Sequence, residues 1–193
     1  MKESHVLAFV GEKRAGKGTA ADIYRKISYS HHNLPISRHT FSDVVREILQ
    51  KRDIPFGRKT AQDLVMELIN ENASNDTLSK IVEERIWADP NSHIILDGIR
   101  LWPDYHMICR FPSYHLVYVT APARIRHRRA LLDSDKVDEI NISFEEFCEK
   151  EKHQLELDIP IIGANVADFF INNIGTRAEL ERKVIELREK IKF

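Results

Sequence analysis

The sequence predicts an α/β domain built on a five-stranded parallel sheet with helices on both faces. Three observations carry that expectation. The apolar run Val6-Leu7-Ala8-Phe9-Val10 breaks at Gly11 and takes up helical spacing from Lys17, as a doubly covered strand followed by a helix does. A second apolar run, Ile94-Ile95-Leu96, ends at Asp97. Further strand-like runs at 36–41, 114–119 and 167–172 alternate with segments of helical period, and such alternation gives parallel strands.

A chain of 193 residues suits one domain. At 42% hydrophobic it can bury a sizeable core. A formal net charge of −1 gives no general pull toward nucleic acid or an anionic membrane, so anions must be held by locally placed Arg and Lys. No apolar run reaches membrane-spanning length, and the first strand begins without a secretory apolar stretch. A reducing, cytoplasmic setting is the expectation. Cys109 and Cys148 lack CxxC or His partners at ligand spacing and read as buried or half-buried thiols.

The first chemical element is Gly11-Glu12-Lys13-Arg14-Ala15-Gly16-Lys17-Gly18-Thr19, the order G-x-x-x-x-G-K of a phosphate-binding loop with its hydroxyl one place late. Glycines let main-chain N–H groups converge on an anion. The helix N-terminus adds partial positive charge, and Lys17 adds a full one. Contacts to a bound phosphate group are expected from Gly11, Arg14, Ala15, Gly16, Lys17, Gly18 and Thr19. An ordinary strand-to-helix turn would explain Gly11 but not Gly16-Lys17-Gly18-Thr19. Because Gly18 stands where a Ser or Thr commonly holds magnesium, the metal is expected mainly on phosphates and waters. Thr19 then meets a phosphate oxygen or reaches the metal through water.

A helix follows over 20–28, then a loop over 30–35. The paired His31 and His32 raise a metal reading, but neighbouring side chains diverge and no further ligand lies at metal spacing. Ser42 is expected to cap a helix from Asp43, where Asp43 and Arg46 share a face as an ion pair or a binding pair. Residues 58–88 read as two helices broken near 72–75, with Arg58 and Gln62 as plain surface. A resemblance to the acceptor-binding insertion of monophosphate kinases would instead make those two residues acceptor contacts. Asp97 ends a buried strand beside the loop, where it would orient a magnesium-bound water. The alternative is a common Asp-Gly turn, and Arg100 follows at once. Trp102 packs on the core or stacks on a base. Four arginines fall within 124–129, and Arg124 and Arg128 at i, i+4 repel each other by a few tenths of a kcal/mol unless an anion intervenes. A solvated basic surface is the other reading. Residues 132–139 are acidic and turn-rich. A calcium loop fails there, since the sixth place lacks Gly and the twelfth is Phe144, so a short lid or linker is expected. Ser143 and Glu146 form a capping-box pattern for a helix to about Leu157, and a last helix starts at Arg177.

These motifs resemble those of the adenylate kinase family of nucleoside and nucleotide monophosphate kinases. The loop ends in the same Gly-Lys-Gly-Thr. D-x-x-R at Asp43 to Arg46 has Ser42 for the family glycine, and D-G-I-R at Asp97 to Arg100 is one residue shorter than D-G-F-P-R. Arg124 to Arg129 is similar to the R-I-x-x-R-R lid entry. The closing A-D-x-x-I-x-N-x-G-T resembles dephospho-coenzyme A kinases and archaeal adenylate-kinase-related proteins. The string G-x-K-R-x-G-K is similar to phage-type deoxynucleoside monophosphate kinases. The resemblance implies a P-loop NTPase three-layer sandwich over 1–193, with a helical acceptor-binding insertion at about 42–90 and a short lid region at about 122–142. It implies ATP with Mg2+ as cofactors. Lys17, Arg124, Arg128 and Asp97 would be catalytic. Asp43, Arg46 and Arg100 would bind the acceptor, Asp97 and Thr19 the metal, and the loop at Asn173 and Gly175 the adenine. The expected reaction is phosphoryl transfer to a nucleoside or deoxynucleoside monophosphate. The alternatives are transfer to a sugar hydroxyl with Asp43 as base, or a regulatory nucleotide-binding protein without catalysis. The expected partners are small-molecule nucleotides, not nucleic acid or membrane, with the chain a monomer or small homo-oligomer.

Overall fold

Strands that are apolar at every position need cover on both faces, and the fold supplies it. The computed structural model describes residues 3–72, 74–132 and 142–191. Its strands are β1 (His5–Val10), β2 (Ile36–Thr40), β3 (His93–Ile99), β4 (Ser113–Thr120) and β5 (Phe169–Asn172), joined as one parallel sheet in the order β2-β3-β1-β4-β5. The helices in chain order are α1 (Lys17–His32), α2 (Phe41–Lys51), α3 (Arg58–Asn72), α4 (Thr77–Ala88), α5 (Trp102–Ile108), α6 (Ala123–Leu132), α7 (Phe144–Lys150), α8 (Gln154–Val166) and α9 (Arg177–Lys190).

Alternation along β1 splits the core into two layers. Val6, Ala8 and Val10 face a cluster with Val44, Val82, Ile86, Met107, Ile159 and Ile162, from α2, α4, α5 and α8. Leu7 and Phe9 face the other way, against α1 and α9 through Ala20, Tyr24, Ile27, Leu180 and Val184. The chain between β2 and β3 is helical in α2, α3 and α4, with Val45, Leu49 and Leu64 joining α3 to α2. Among the described residues no helix is long and apolar enough to cross a membrane.

Strand order brings the functional edge together. With β1 central, the end of β3 runs beside the end of β1, Phe9 opposite Asp97. The register then shifts at Gly98, whose φ is 106°. Ile95 packs on the α1 side, and Asp97, two residues on, shares that face.

Several local expectations are corrected. Helix α1 continues through His32 and ends at Asn33, left-handed at φ 49°, whose N–H bonds the carbonyls of Ser28 and Tyr29. The cap of α2 is Thr40, whose hydroxyl accepts from the Asp43 N–H at 2.9 Å, two residues before the expected Ser42. The single helix expected from Ser143 to about Leu157 is two, α7 and α8, because His153 caps the second with its ring nitrogen. Cys109 is exposed and Cys148 half-buried. The lid or linker expected at 132–139 falls almost wholly outside the described residues.

Candidate functional site

The loop between β1 and α1 takes the shape its glycines allow. Gly16 caps α1 in a left-handed conformation, φ 98°, and Arg14 is also left-handed at φ 64°. Such a sequence of turns curls main-chain N–H groups around a concavity that favours anions. No side chain caps α1, so the positive end of its dipole faces the loop with Lys17 as first helical residue.

Helix α6 holds the loop from behind. Buried Arg126 donates to the carbonyls of Ala121 (2.8 Å) and Lys13 (3.3 Å), and it pairs with Glu151. Arg129 donates to the carbonyls of Arg14 (3.3 Å), Ala15 (3.4 Å) and Asn173 (2.8 Å). The Asn173 amide adds a donor to Ala15 at 2.8 Å. In a trans peptide the C=O and the next N–H point in opposite directions. Drawing the Lys13 and Ala15 carbonyls outward therefore turns the N–H groups of Arg14 and Gly16 inward. Burial pulls the Arg129 guanidinium below its ordinary pKa; its donors compensate by meeting carbonyls.

The loop also contains an acid. Glu12 accepts from the Tyr118 hydroxyl at 2.6 Å and from Thr120 at 3.4 Å. Burial, followed by that bond to Glu12, pushes the Tyr118 phenol up to about 12.

Asp97 is held by a partner absent from the motif. Arg38 on β2 donates through Nη2 to Asp97 Oδ2 at 2.6 Å and through Nη1 to Asp22 on α1 at 2.6 Å. Burial opposes the Arg38 charge, yet Asp97 and then Asp22 leave its pKa raised. The other carboxylate oxygen, Asp97 Oδ1, is buried and has no hydrogen-bond partner among the described residues. A buried acceptor left unsatisfied costs about 1–3 kcal/mol, so Oδ1 suits a metal-bound water. A β-carbon at position 18 would lie 3.3 Å from both Arg38 Nη2 and Asp97 Oδ2. A side chain there would therefore crowd the ion pair. Among the described residues no group of three or more His, Cys, Asp or Glu gathers as a metal site.

A second basic cluster forms on Glu156. Arg100 after β3 pairs with Glu156 on α8 at 2.6 Å, and Arg58 at the start of α3 approaches the same oxygen at 3.6 Å. The Glu156 side chain is only 9% exposed. Arg58 also donates to the Lys150 carbonyl at 3.3 Å. Burial lowers the Arg58 pKa, Glu156 pulls it back up, and the like charges of Arg100 and the loop's Arg14 lower it again. Buried Asp104 fixes the approach of Arg100 by accepting the N–H groups of Arg100 and Leu101 at 3.0 Å each.

The remaining expected residues lie as follows. Asp43 is exposed, and its charge reaches Arg85 on α4, which grips Glu47 with two bonds of 2.9 and 2.6 Å. Arg46 stacks over Phe56, its guanidinium carbon 4.1 Å from the ring centre. Arg124 lies over Phe144 at 4.8 Å, and Arg128 is exposed. Gly11 packs against the backbone of Val119, and Gly175 against the Glu179 carboxylate that caps α9. Thr19 is half-buried in the first turn of α1. Arg38, Tyr118 and Glu156 carry no motif in the sequence, and Arg126 and Arg129 stand there only as members of the arginine run. The register of β2 on β3 puts Arg38 on the same face as Asp97.

No protein-family model matches the chain. A UPF0200/UPF0201 protein of Archaeoglobus fulgidus is 24% identical over 193 aligned positions, which cover 98% of this chain; the chain spans 56% of that relative's length. Shikimate kinase from Bacteroides thetaiotaomicron superposes with a TM-score of 0.62 at 16% identity, covering 96% of this chain and 97% of that one. A gluconokinase from Sinorhizobium meliloti 1021 gives 0.55 at 10% identity, covering 98% and 94%. The parallel sheet opening on a phosphate loop and these two superpositions agree: the chain has the fold of the P-loop kinases.

Proposed function

We propose that the chain transfers the γ-phosphoryl group of ATP to a nucleoside or deoxynucleoside monophosphate. The observation that carries this reading is the meeting of Arg58 and Arg100, from separate elements, on Glu156 within reach of the loop's Arg14. Guanidinium groups gathered beside a phosphate loop suit a second phosphate. The loop amides and Lys17 would bind the β- and γ-phosphates, with Gly11 to Thr19 as the cradle and the Asn173–Gly175 turn at the adenine. Arg124 and Arg128, on α6, would close over the transferred group. Asp97 through Oδ1 and Thr19 would hold a magnesium ion, which neutralises phosphate charge when bound. Asp43 and Arg46 complete the proposed acceptor side, and α2 to α4 would be the acceptor-binding insertion. Catalysis is then alignment and charge neutralisation. A phosphate acceptor needs no base near neutrality, since its second pKa is about 6.

The test is ADP formation with a panel of ribo- and deoxynucleoside monophosphates, dephospho-coenzyme A, shikimate and gluconate. Acceleration by one monophosphate is expected. A rate indifferent to every acceptor, with ATP still bound, overturns the kinase reading and leaves a regulatory nucleotide-binding protein. Acceleration only by hydroxyl acceptors, abolished by Asp43→Asn, replaces the phosphate acceptor with a hydroxyl.

A further inference from the structure

The carboxylate at the end of β3 is not alone, and its partner changes what the phosphate loop does. Asp97 and Arg38 are 12% and 23% exposed at their side chains and meet at 2.6 Å. Both terminal nitrogens of Arg38 are taken by acids, Asp97 on one side and Asp22 on the other, also at 2.6 Å. The guanidinium is therefore turned toward the sheet carboxylate and α1, one N–H of each terminal nitrogen meeting an acid. Asp22 is half exposed and serves as the outer anchor. Position 18 contributes a third observation, since a β-carbon there would crowd both members of the pair.

A bare carboxylate at this place would oppose the ligand of the loop. Nucleotide phosphates carry several negative charges, and a partly buried acid near them repels with little screening. A metal ion would offset that repulsion once bound. Arg38 offsets it permanently.

We propose that Arg38 is the charge-compensating partner of Asp97, which lets the phosphate loop accept a nucleotide before any metal arrives. The idea rests on the nucleotide-binding reading above. It assigns Arg38 no contact with the phosphates: it acts through Asp97. Gly18 suits the same arrangement, because a side chain there would press on both members of the ion pair.

The experiment is a double-mutant cycle read by binding, not turnover. Dissociation constants for ADP are measured by calorimetry in EDTA and in excess Mg2+ for the unaltered protein, Arg38→Met, Asp97→Asn and the double variant, with thermal melting as the check on folding. Arg38→Met should weaken metal-free ADP binding about tenfold or more, and binding in Mg2+ about threefold or less. Asp97→Asn should tighten metal-free binding severalfold, and the double variant should return to within about threefold of the unaltered protein. Equal weakening with and without Mg2+, or a loss that persists undiminished in the double variant, overturns the proposal and makes Arg38 a phosphate ligand. If Arg38→Met does not fold, the Asp97→Asn arm decides alone, and absence of tightening overturns the idea. An unaltered protein that binds no ADP at all fails the nucleotide reading itself, a result distinct from an unchanged metal ratio.

Discussion

Among the described residues Arg129 donates to three main-chain carbonyls, two in the loop before α1 and one at Asn173. Charged donors to carbonyls contribute about 1.5–3 kcal/mol each when buried and more than neutral pairs do. On the proposed reading, part of that contribution is a loop shaped in advance for phosphate, which would lower the ordering cost of binding. Arg129→Met is therefore expected to raise the ATP dissociation constant about tenfold while leaving the acceptor KM within about twofold, and Arg129→Lys should recover part of the loss. Steady-state kinetics with each substrate varied in turn checks the split. Sequence drew attention to Arg124 and Arg128 because like charges at i, i+4 looked costly. The helix is turned so that Arg126 and Arg129, three apart, face the loop. Helical phase is set by what the helix packs on, and a run with arginine at four of six places carries no apolar stripe to report it.

At the scale of elements, α5 depends on one buried acid. Asp104 caps it, takes a 2.6 Å bond from Ser79 on α4, and holds the two amides before the helix. Burial raises the Asp104 pKa, and its hydrogen bonds offset this only in part. The folded protein therefore keeps that proton to higher pH than the unfolded chain, whose Asp titrates near about 3.9. Across the window between those two values the folded state binds more protons, so stability falls as pH rises. Asp104→Asn keeps the geometry, its oxygen accepting the two amides and its NH2 donating to Ser79. It should flatten that fall, read as urea midpoints from pH 4 to 7. The strands, the phosphate loop and most helices were legible in the sequence because each announces itself locally, by an unbroken apolar run, a glycine pair or a 3.6-residue stripe. Ends were less so. Thr40 and His153 cap their helices from positions that local patterns left inside a strand and inside a longer helix, and tertiary packing made the choice.

Across the whole molecule, Arg58 links the helices between β2 and β3 to α7 and α8, through the Lys150 carbonyl and Glu156. Residues 58, 100 and 156 are far apart in sequence, and no local pattern marks them as neighbours; sheet order brings them together. Removing the carboxylate takes away the negative charge that Arg58 and Arg100 share, which on the proposed reading would favour an anionic acceptor there. Glu156→Gln should lower the KM for a monophosphate about three- to tenfold at low salt, with the gain shrinking at 0.5 M salt, and lower the melting temperature by a few degrees. Initial rates across a salt series and a melting curve measure both.

The Asn173 side chain, 158 positions downstream of Ala15, fits over Gly16 where a β-carbon would stand 2.4 Å from its amide nitrogen. The cradle is thus locked by residues that leave the ribosome long after it. A nascent chain halted before β5 would display the entire glycine motif without its rear fastening, so on the proposed reading a bound nucleotide would favour the nearly finished polypeptide over an early one.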